Sequence, residues 1–202
     1  MIRFARAALL AAAAFAAIGS AQAIDRDSPR AMMMQEPAVQ ARLASLSVQR
    51  EQPRSTRAIV ADPTGAARGT ITIDTEGRRL YLSLGEGRAV SYGVGVGREG
   101  FEWKGRVSIG RKAEWPDWTP PAAMLKRRPD LPAFMPGGED NPLGARAMYL
   151  YSGGKDTIYR IHGTNEADTI GEAVSSGCIR MLNDDVADLY DRVKIGTPVV
   201  VM

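Results

Sequence analysis

Hydrophobic and polar residues alternate along several short segments of the chain from Gly69 onward. In residues 69–84, GTITIDTEGRRLYLSL, the alternation continues on both sides of Glu76-Gly77, which is typical of two strands joined by a tight turn. The same kind of pattern predicts further strands in four segments: RAVSYGVGVGREG (88–100), ARAMYLYSG (145–153), DTIYRIHGT (156–164) and TPVVVM (197–202).

A helix is predicted where the hydrophobic spacing changes, in NDDVADLYDRV at residues 183–193. Its apolar residues share one helical face: Val186, Leu189, Tyr190 and Val193. Asn183 is suited to cap this helix, and Asp184 and Asp185 suit the positive end of its dipole. Strands and helix together predict a mostly β domain with one or two helices.

The segment between residues 112 and 144 has no such periodicity. It contains seven prolines, which exclude regular structure from most of it. Long irregular loops in compact domains are often lids or binding loops. Trp115 and Trp118 therefore have two interpretations of equal weight: they reach a substrate cleft, or they anchor the loop to the core.

The beginning of the chain has the pattern of a secretory signal peptide. Residues 1–23 combine a basic start, with Arg3 and Arg6, an apolar stretch and an Ala-Gln-Ala site that ends at Ala23. The apolar stretch is too short to span a bilayer. We therefore expect cleavage after Ala23 and no transmembrane segment in the mature chain.

Residues 24–68 are predicted to form a tail or linker, because they are rich in Arg, Ala, Ser, Gln and Pro without a sustained strand pattern. One segment, AVQARLASLSVQR (38–50), has apolar residues at helical spacing and predicts a short amphipathic helix. The remaining residues, 69–202, suit one domain.

Charge gives no indication of a nucleic-acid partner. The formal net charge is +3, and cleavage of the signal peptide removes two positive charges and no acids. The mature chain is then nearly neutral, and no basic patch interleaved with aromatic residues is present.

The chain has a single cysteine, Cys178, and a single histidine, His162. Cysteines in exported proteins usually occur in pairs, so a lone thiol is either inert and buried or functional. An imidazole beside a thiol lowers its pKa and accepts its proton. Gly163 and Gly177 allow the two loops to approach closely. The pair therefore predicts a cysteine nucleophile with a histidine base.

Three other kinds of site are less well supported. The GVGREG run (95–100) matches the dinucleotide pattern, but a strand-like segment follows it where a helix is required. Ser175 and Ser176 lack the G-x-S-x-G context of a serine hydrolase. One His and one Cys need two acids to hold zinc, and the nearby acids show no recognised spacing: Glu166, Asp168 and Glu172.

The predicted strand IYRI ends at His162, and Cys178 lies on a turn just before the helix. The backbone N–H groups of Gly177 and Cys178 are candidates for an oxyanion hole. Arg180 suits a carboxylate of the substrate. An ion pair with one of the aspartates that begin the helix is an equal alternative for it.

These residues resemble a known family. IHGTN (161–165) followed by SSGCIRMLN (175–183) is similar to the motif of the L,D-transpeptidase (YkuD-type) catalytic domain. Three further segments resemble its Gram-negative branch: WTPP (118–121), NPLGARAMYL (141–150) and TIGEAVSSGCIRM (169–181). The resemblance covers residues 69–202.

The resemblance implies roles for individual residues. Cys178 is the nucleophile, His162 is the base, and the carbonyl of Gly163 is the third member of the set. The other candidates for substrate binding or oxyanion stabilisation are Ser175, Ser176, Gly177, Arg180, Asn183, Tyr159 and Trp118. The implied fold is a curved, mostly β sandwich or barrel, with no metal and no organic cofactor.

The implied partners are peptidoglycan stem peptides in the periplasm. The thiolate attacks the carbonyl at the L-centre of the third residue, D-alanine leaves, and an amine resolves the thioester. An amine of another stem peptide gives a 3→3 cross-link, whereas an amine of an envelope protein attaches that protein to the wall.

One position departs from the family pattern. Ser176 stands where the family often has a histidine, so His162 is left as the base and the role of Ser176 stays open. Two other functions also stay open: a hydrolase on the same fold, with water as acceptor, and a wall-binding module without activity.

Overall fold

The computed structural model describes residues 54–202. The predicted signal peptide, the predicted helix at 38–50 and the first part of the predicted linker lie outside the described residues. The strands are β1 Ala58–Ala61, β2 Ile71–Asp74, β3 Arg79–Gly85, β4 Arg88–Gly93, β5 Val96–Gly97, β6 Gly105–Glu114, β7 Arg146–Ser152, β8 Lys155–His162, β9 Ala173–Ser175, β10 Ile179–Arg180 and β11 Pro198–Val201. The helices are α1 Ala122–Arg127, α2 Asn183–Arg192 and a 3-10 turn at Ala167–Thr169.

Nine of these strands form one mixed sheet, in the order β1-β4-β3-β2-β11-β6-β7-β8-β10. Neighbouring strands are antiparallel except for two parallel pairs, β11 with β2 and β10 with β8. β5 and β9 form a separate parallel pair. The mostly β fold with few helices, predicted from the alternation, is confirmed.

The predicted hairpin forms from β2 and β3. Ile71 pairs with Leu82 and Ile73 with Leu80, and all four side chains are buried in the core. Burial of each such side chain contributes about 1.5–3 kcal/mol to folding. At the turn, the Asp74 carboxylate accepts the Gly77 N–H at 2.8 Å.

The predicted C-terminal helix, α2, packs against β7. The side chains of Val186 and Leu189, which belong to this helix, are fully buried, as the helical spacing predicts. The predicted cap is wrong: Leu182 is the N-cap, without a side-chain bond, and Asn183 is the first helical residue. None of the helices in residues 54–202 is long and apolar enough to cross a membrane.

Strand β1 lies inside the range 24–68 that the sequence predicts to be linker, and it corrects that prediction for residues 58–61. It pairs with β4 along its whole length. Just before it, Ser55 and Thr56 donate hydrogen bonds to the buried Asp185 carboxylate of α2, at 2.5 to 2.9 Å. A four-residue edge strand with mostly exposed side chains carries too little hydrophobic pattern to be recognised.

The proline-rich segment 112–144 is irregular apart from the end of β6 and the six residues of α1. Trp118 and Met135 exchange two backbone hydrogen bonds of 2.8 Å across the loop. Trp115 is 42% exposed, which disfavours its interpretation as an anchor in the core. This segment connects β6 to β7. These two strands lie in the half of the sheet that contains β8 and β10.

Candidate active site

Two adjacent parallel strands bring the lone thiol and the lone imidazole together. β10 pairs with β8 so that Arg180 lies opposite His162 and Ile179 opposite Ile161. Cys178 directly precedes β10. Because residues two apart in an extended chain share a face, we infer that Cys178 lies on the face of Arg180 and His162. The pairing therefore places the thiol and the imidazole at the same end of the sheet.

The His162 imidazole is buried, with 5% of its surface exposed. Its Nδ1 atom lies 2.6 Å from the Gly163 carbonyl oxygen. A carbonyl only accepts, so Nδ1 carries the proton and Nε2 of the neutral ring is free to act as a base. Burial lowers the pKa of His162 to about 4, with a smaller contribution from the charges of Arg160 and Arg180. The ring is therefore neutral at neutral pH.

Cys178 is only partly exposed, and its Sγ lies 4.0 Å from the carbonyl oxygen of Ile158. Burial raises the pKa of this thiol, although a hydrogen bond from the Arg160 backbone and the charges of Arg160 and Arg180 oppose the shift. Thiol and imidazole are thus both neutral at rest. Proton transfer between them has to accompany the attack on a substrate.

The turn at residues 175–178, named here the cysteine loop, is held by one serine. Ser175 Oγ donates to the Cys178 carbonyl at 2.6 Å and accepts the Gly177 N–H at 3.1 Å. The Gly177 N–H is therefore occupied, which corrects its predicted role in an oxyanion hole. Within residues 54–202 no acceptor is recorded for the Cys178 N–H, which remains a candidate donor.

Trp103 and Tyr159 pack against Gly177 of the cysteine loop. Their rings stack at 4.5 Å with an interplanar angle of 5°, and the indole N–H of Trp103 donates to the Gly177 carbonyl at 2.8 Å. Gly177 has a φ of +104°, and a Cβ there would lie 2.5 Å from Cε1 of Tyr159. Tyr159, a predicted substrate-binding residue, thus packs beneath the loop, and Trp103 was missed by the sequence prediction.

A bulge in β8 sets the position of the carbonyl that faces the thiol. The register between β7 and β8 shifts after Tyr149, and Ile158 adopts a φ of +65°, which is unusual for a β-branched residue. The Asp156 carboxylate accepts the Ile158 N–H at 2.8 Å and holds this conformation. The Ile158 side chain is 66% exposed. The sequence offered no signal of the bulge, because DTIYRIH reads as an uninterrupted strand.

The GVGREG run contacts protein and has no helix after it. Gly95 exchanges backbone hydrogen bonds with Arg180, and Gly97 lies against the cysteine loop. A Cβ at Gly95 would lie 2.8 Å from the Thr169 carbonyl oxygen, and one at Gly97 would lie 2.5 Å from that of Phe101. These glycines allow backbone to approach backbone, so the interpretation of the dinucleotide match as accidental agrees with the geometry.

Arg180 is engaged within the protein, but not by the expected aspartates. Its guanidinium donates to the Glu166 carboxylate at 2.7 Å and to Thr169 Oγ1 at 3.3 Å. The alternative ion pair with an aspartate of α2 is therefore wrong. Both contacts use a single terminal nitrogen, Nη1, so binding of a substrate carboxylate by Arg180 stays a prediction. Ser176 Oγ lies at the limit of hydrogen bonding, 3.5 Å from the Arg98 guanidinium.

Asn183 bridges two loops instead of capping α2 or facing the thiol. Its Oδ1 accepts the N–H groups of Ala145 and Thr164, at 3.0 and 3.2 Å, and its Nδ2 donates to the Thr164 carbonyl at 3.0 Å. It thereby fixes the chain directly after His162. Trp118, also predicted to bind substrate, is held by Met135 in the long loop, with no recorded hydrogen bond to the cysteine loop.

A cleft of about 330 Å³ opens beside the cysteine loop. Its lining mixes acidic, basic and aromatic residues, among them Glu76, Arg78, Glu102, Trp103, Gly177 and Ile179. Gly177 of the cysteine loop lines this cleft, whereas Cys178 and His162 are not among its lining residues. In the described part of the chain, no group of three or more His, Cys, Asp and Glu side chains is close enough to hold a metal ion.

Comparison with known proteins gives one family. Residues 68–201 match the family model YkuD, described as the L,D-transpeptidase catalytic domain. The probable L,D-transpeptidase ErfK/SrfK of Escherichia coli strain K12 is 38% identical over 141 residues, which are 65% of this chain and 43% of that protein. The chain thus spans less than half the length of this relative.

Solved structures give the same fold. A probable carnitine operon oxidoreductase from Brucella melitensis is 47% identical, with a TM-score of 0.51, covering 76% of this chain and 97% of that chain. An L,D-transpeptidase from Mycobacterium smegmatis is 18% identical, with a TM-score of 0.51, covering 66% of this chain and 58% of that chain. At that identity the second likeness concerns the fold alone.

Proposed function

Because this chain belongs to the YkuD family of L,D-transpeptidase catalytic domains, we propose that it is an exported cysteine acyltransferase that remodels peptidoglycan. Its acyl donor is a stem tetrapeptide, which it cleaves after the third residue. Its acyl acceptor is an amine, either of another stem peptide, giving a 3→3 cross-link, or of an envelope protein.

The observation that carries this proposal is the arrangement of Cys178 and His162. The only thiol and the only imidazole of the chain stand at one end of two paired strands. The Gly163 carbonyl holds the imidazole by Nδ1, so that Nε2 is left as the basic nitrogen. This is the division of roles that a cysteine nucleophile and its base require.

The proposed reaction begins with transfer of the Sγ proton to Nε2 of His162 as sulfur attacks the carbonyl carbon of the third residue. The carbonyl oxygen becomes an oxyanion, for which the Cys178 N–H is a candidate donor. The C–N bond to D-alanine then breaks, and the imidazolium returns its proton to the leaving amine. A thioester between the third residue and Cys178 remains.

The second half of the reaction reverses these roles. The acceptor amine attacks the thioester carbonyl, His162 accepts the proton that this amine loses, and the new amide bond forms. The thiolate leaves and regains a proton from the imidazolium, which restores the neutral pair. Neither half needs a group beyond the two side chains and backbone donors.

Burial and the nearby arginines act in opposite directions on the charge of the Cys178 thiol. Burial disfavours both the imidazolium and the thiolate. Arg160 and Arg180 add positive charge near both groups, which favours an anion on sulfur or on the substrate oxygen as it develops. The site is thus better suited to the transition state than to a resting ion pair.

Export to the periplasm is part of the proposal. Residues 1–23 have the pattern of a signal peptide, and the proposed substrate lies outside the cytoplasmic membrane. The glycine run at 95–100, which a dinucleotide-dependent oxidoreductase would use, is filled by protein backbone. This favours transpeptidation over the activity in the name of the Brucella melitensis protein.

Product analysis tests the proposal. The purified protein is incubated with disaccharide-tetrapeptide, and the products are identified by mass spectrometry, with Cys178→Ala as the control. We expect a cross-linked dimer with loss of one D-alanine from the wild type and no product from the variant. Tripeptide alone would identify water as the acceptor, and an unchanged substrate would contradict the use of a stem-peptide acceptor.

A further inference from the structure

Two arginines share the ring of Phe101. The guanidinium carbon of Arg98 lies 4.3 Å from the ring centroid and that of Arg127 lies 5.2 Å from it. Arg98 directly follows β5, whereas Arg127 comes from the last turn of α1 in the long loop. Among the described residues, neither guanidinium has a carboxylate within ion-pair distance. Both positive charges thus lie against one ring, and neither has an ion-pair partner among the described residues.

A second ring in the same protein shows how such a pair is neutralised. Arg111 and Arg160 lie 3.6 and 4.3 Å from the ring centroid of Tyr149. There, Asp156 accepts two hydrogen bonds from Arg160, at 2.7 and 2.9 Å. The Tyr149 pair therefore carries its own anion, and the Phe101 pair lacks one. An uncompensated pair of guanidinium groups is a favourable place for an anion from outside the chain.

The Phe101 pair stands beside the cysteine loop. The Phe101 carbonyl oxygen packs against both Gly97 and Gly177. Arg98 extends toward the same loop, 3.4 Å from the Val174 carbonyl and 3.5 Å from Ser176 Oγ, which are long contacts that leave most of its donors free. The positive charge is therefore directed at the segment that carries Cys178.

We propose that Arg98 and Arg127, held on the Phe101 ring, bind a free carboxylate of the stem peptide. The inference rests on the proposed function and names a contact to its substrate. The sequence named Arg180 for this task, and one terminal nitrogen of that guanidinium already donates to Glu166. The planar donors of Arg98 and Arg127 match a carboxylate in geometry as well as charge. Since Arg127 belongs to the long loop, a bound carboxylate also joins this loop to the cysteine loop.

The test is a calorimetric titration of tetrapeptide into Cys178→Ala, which binds without turnover. The same protein is prepared with Arg98→Gln, Arg127→Gln, both changes together, and Arg98→Lys. Arg106→Gln is the matched control, because Arg106 is an exposed arginine of β6 paired with β11. A second titration uses the tetrapeptide with every carboxylate amidated, and a third uses the peptide amidated only at its C-terminal D-alanine.

We expect the double variant to bind tetrapeptide at least about tenfold more weakly, since hydrogen bonds to charged groups are the strong ones. Arg98→Lys should retain part of the affinity, and Arg106→Gln should retain all of it. The fully amidated peptide should bind the parent and the double variant equally. If the peptide amidated only at D-alanine also binds the parent and the double variant equally, the carboxylate that the arginines bind is that of D-alanine.

Three results would overturn the inference. The double variant could bind tetrapeptide within twofold of the parent, or it could lose as much affinity for the fully amidated peptide as for the unmodified one. The third is that the parent does not bind tetrapeptide. Failure of the proposed function is read separately, from the products of the wild-type enzyme. A protein that forms cross-links but is insensitive to both arginine changes would keep the function and lose this contact.

Discussion

Asn183 and Gly163 fit together at the start of α2. The Oδ1 atom of Asn183 fills the space into which a side chain at position 163 would extend, so a Cβ there would overlap it. The same oxygen accepts the N–H of Thr164, and the Gly163 carbonyl holds Nδ1 of His162. The helix that follows the cysteine loop therefore fixes the loop that orients the base.

Asn183→Ala should lower both stability and kcat. The change leaves the N–H groups of Ala145 and Thr164 without their acceptor, which costs about 2 kcal/mol of unfolding free energy. It also removes the bonds that hold Thr164, the residue next to the Gly163 carbonyl. We therefore expect kcat to fall by about tenfold or more, with KM nearly unchanged. Urea unfolding and steady-state turnover measure the two effects.

Asn183→Asp is the matched control for that variant, because it keeps the accepting oxygen and replaces the Nδ2 donor by an oxygen that faces the Thr164 carbonyl. We expect it to retain more activity than the alanine variant. Equal kcat in wild type and Asn183→Ala, with reduced stability, would mean that the bridge holds the fold and does not position the histidine.

Stability should depend on pH through His162. Its folded pKa of about 4 lies below the ordinary value of 6.5 because of burial. Between these values the unfolded chain binds a proton that the folded chain does not, so the unfolding free energy decreases as pH falls from about 6.5 to about 4. The decrease is on the order of 3 kcal/mol.

His162→Gln should lack this decrease, since the chain has no other histidine. Urea unfolding of both proteins at several pH values between 4 and 7 provides the comparison. Parallel curves for wild type and variant would show that the imidazole is not held neutral in the folded protein.

A methyl group at Gly177 should damage the site more than one at Gly171. Both glycines have a positive φ, +104° and +88°, so alanine at either one costs about 1–2 kcal/mol in backbone conformation. Only at Gly177 would the new Cβ meet Tyr159, at 2.5 Å, whereas the space at Gly171 is open.

We therefore expect Gly177→Ala to lose a further 1–3 kcal/mol, roughly, from overpacking and to lower kcat by about tenfold or more. Thermal unfolding and turnover of the two variants separate the clash from the backbone effect. Equal losses in both would show that the stack of Trp103 and Tyr159 yields and does not constrain the loop.

Cys178 should react slowly with alkylating reagents at neutral pH. Burial raises the pKa of its thiol, and the thiolate is the reactive form. The rate with iodoacetamide should therefore keep rising above the pH at which an ordinary thiol reaches its plateau. Because no other cysteine is present, total label incorporation reports on this residue, and a plateau below pH 8 would contradict the raised pKa.

Much of the fold was predictable from local patterns, because most strands of the main sheet have one buried face. The hairpin of β2 and β3, the strands β7, β8 and β11, and helix α2 all follow hydrophobic spacing. β1 was not predicted because its side chains are mostly exposed. The bulge at Ile158 was not predicted because it depends on pairing with β7 and on the Asp156 carboxylate.

The site was predictable only where residue type alone is informative. A lone thiol and a lone imidazole stand out in any sequence, and both lie at the site. Asn183 and Arg180 were named for substrate contact, yet each is engaged by a loop distant in sequence. Trp103 and Arg98 were missed because only the tertiary approach to Gly177 and Ser176 gives them a role. Gly95 and Gly97 were the signal in the sequence that this segment packs closely against another part of the backbone.

Intact-protein mass spectrometry after brief exposure of the purified enzyme to tetrapeptide tests the cysteine mechanism most directly. We expect a covalent adduct with the mass of the acyl-tripeptide, located at Cys178 by peptide mapping and absent from Cys178→Ala. We also expect slower adduct formation by His162→Gln, which keeps the thiol and loses the base. Cleavage of tetrapeptide by Cys178→Ala at the wild-type rate would show that Cys178 is not the nucleophile.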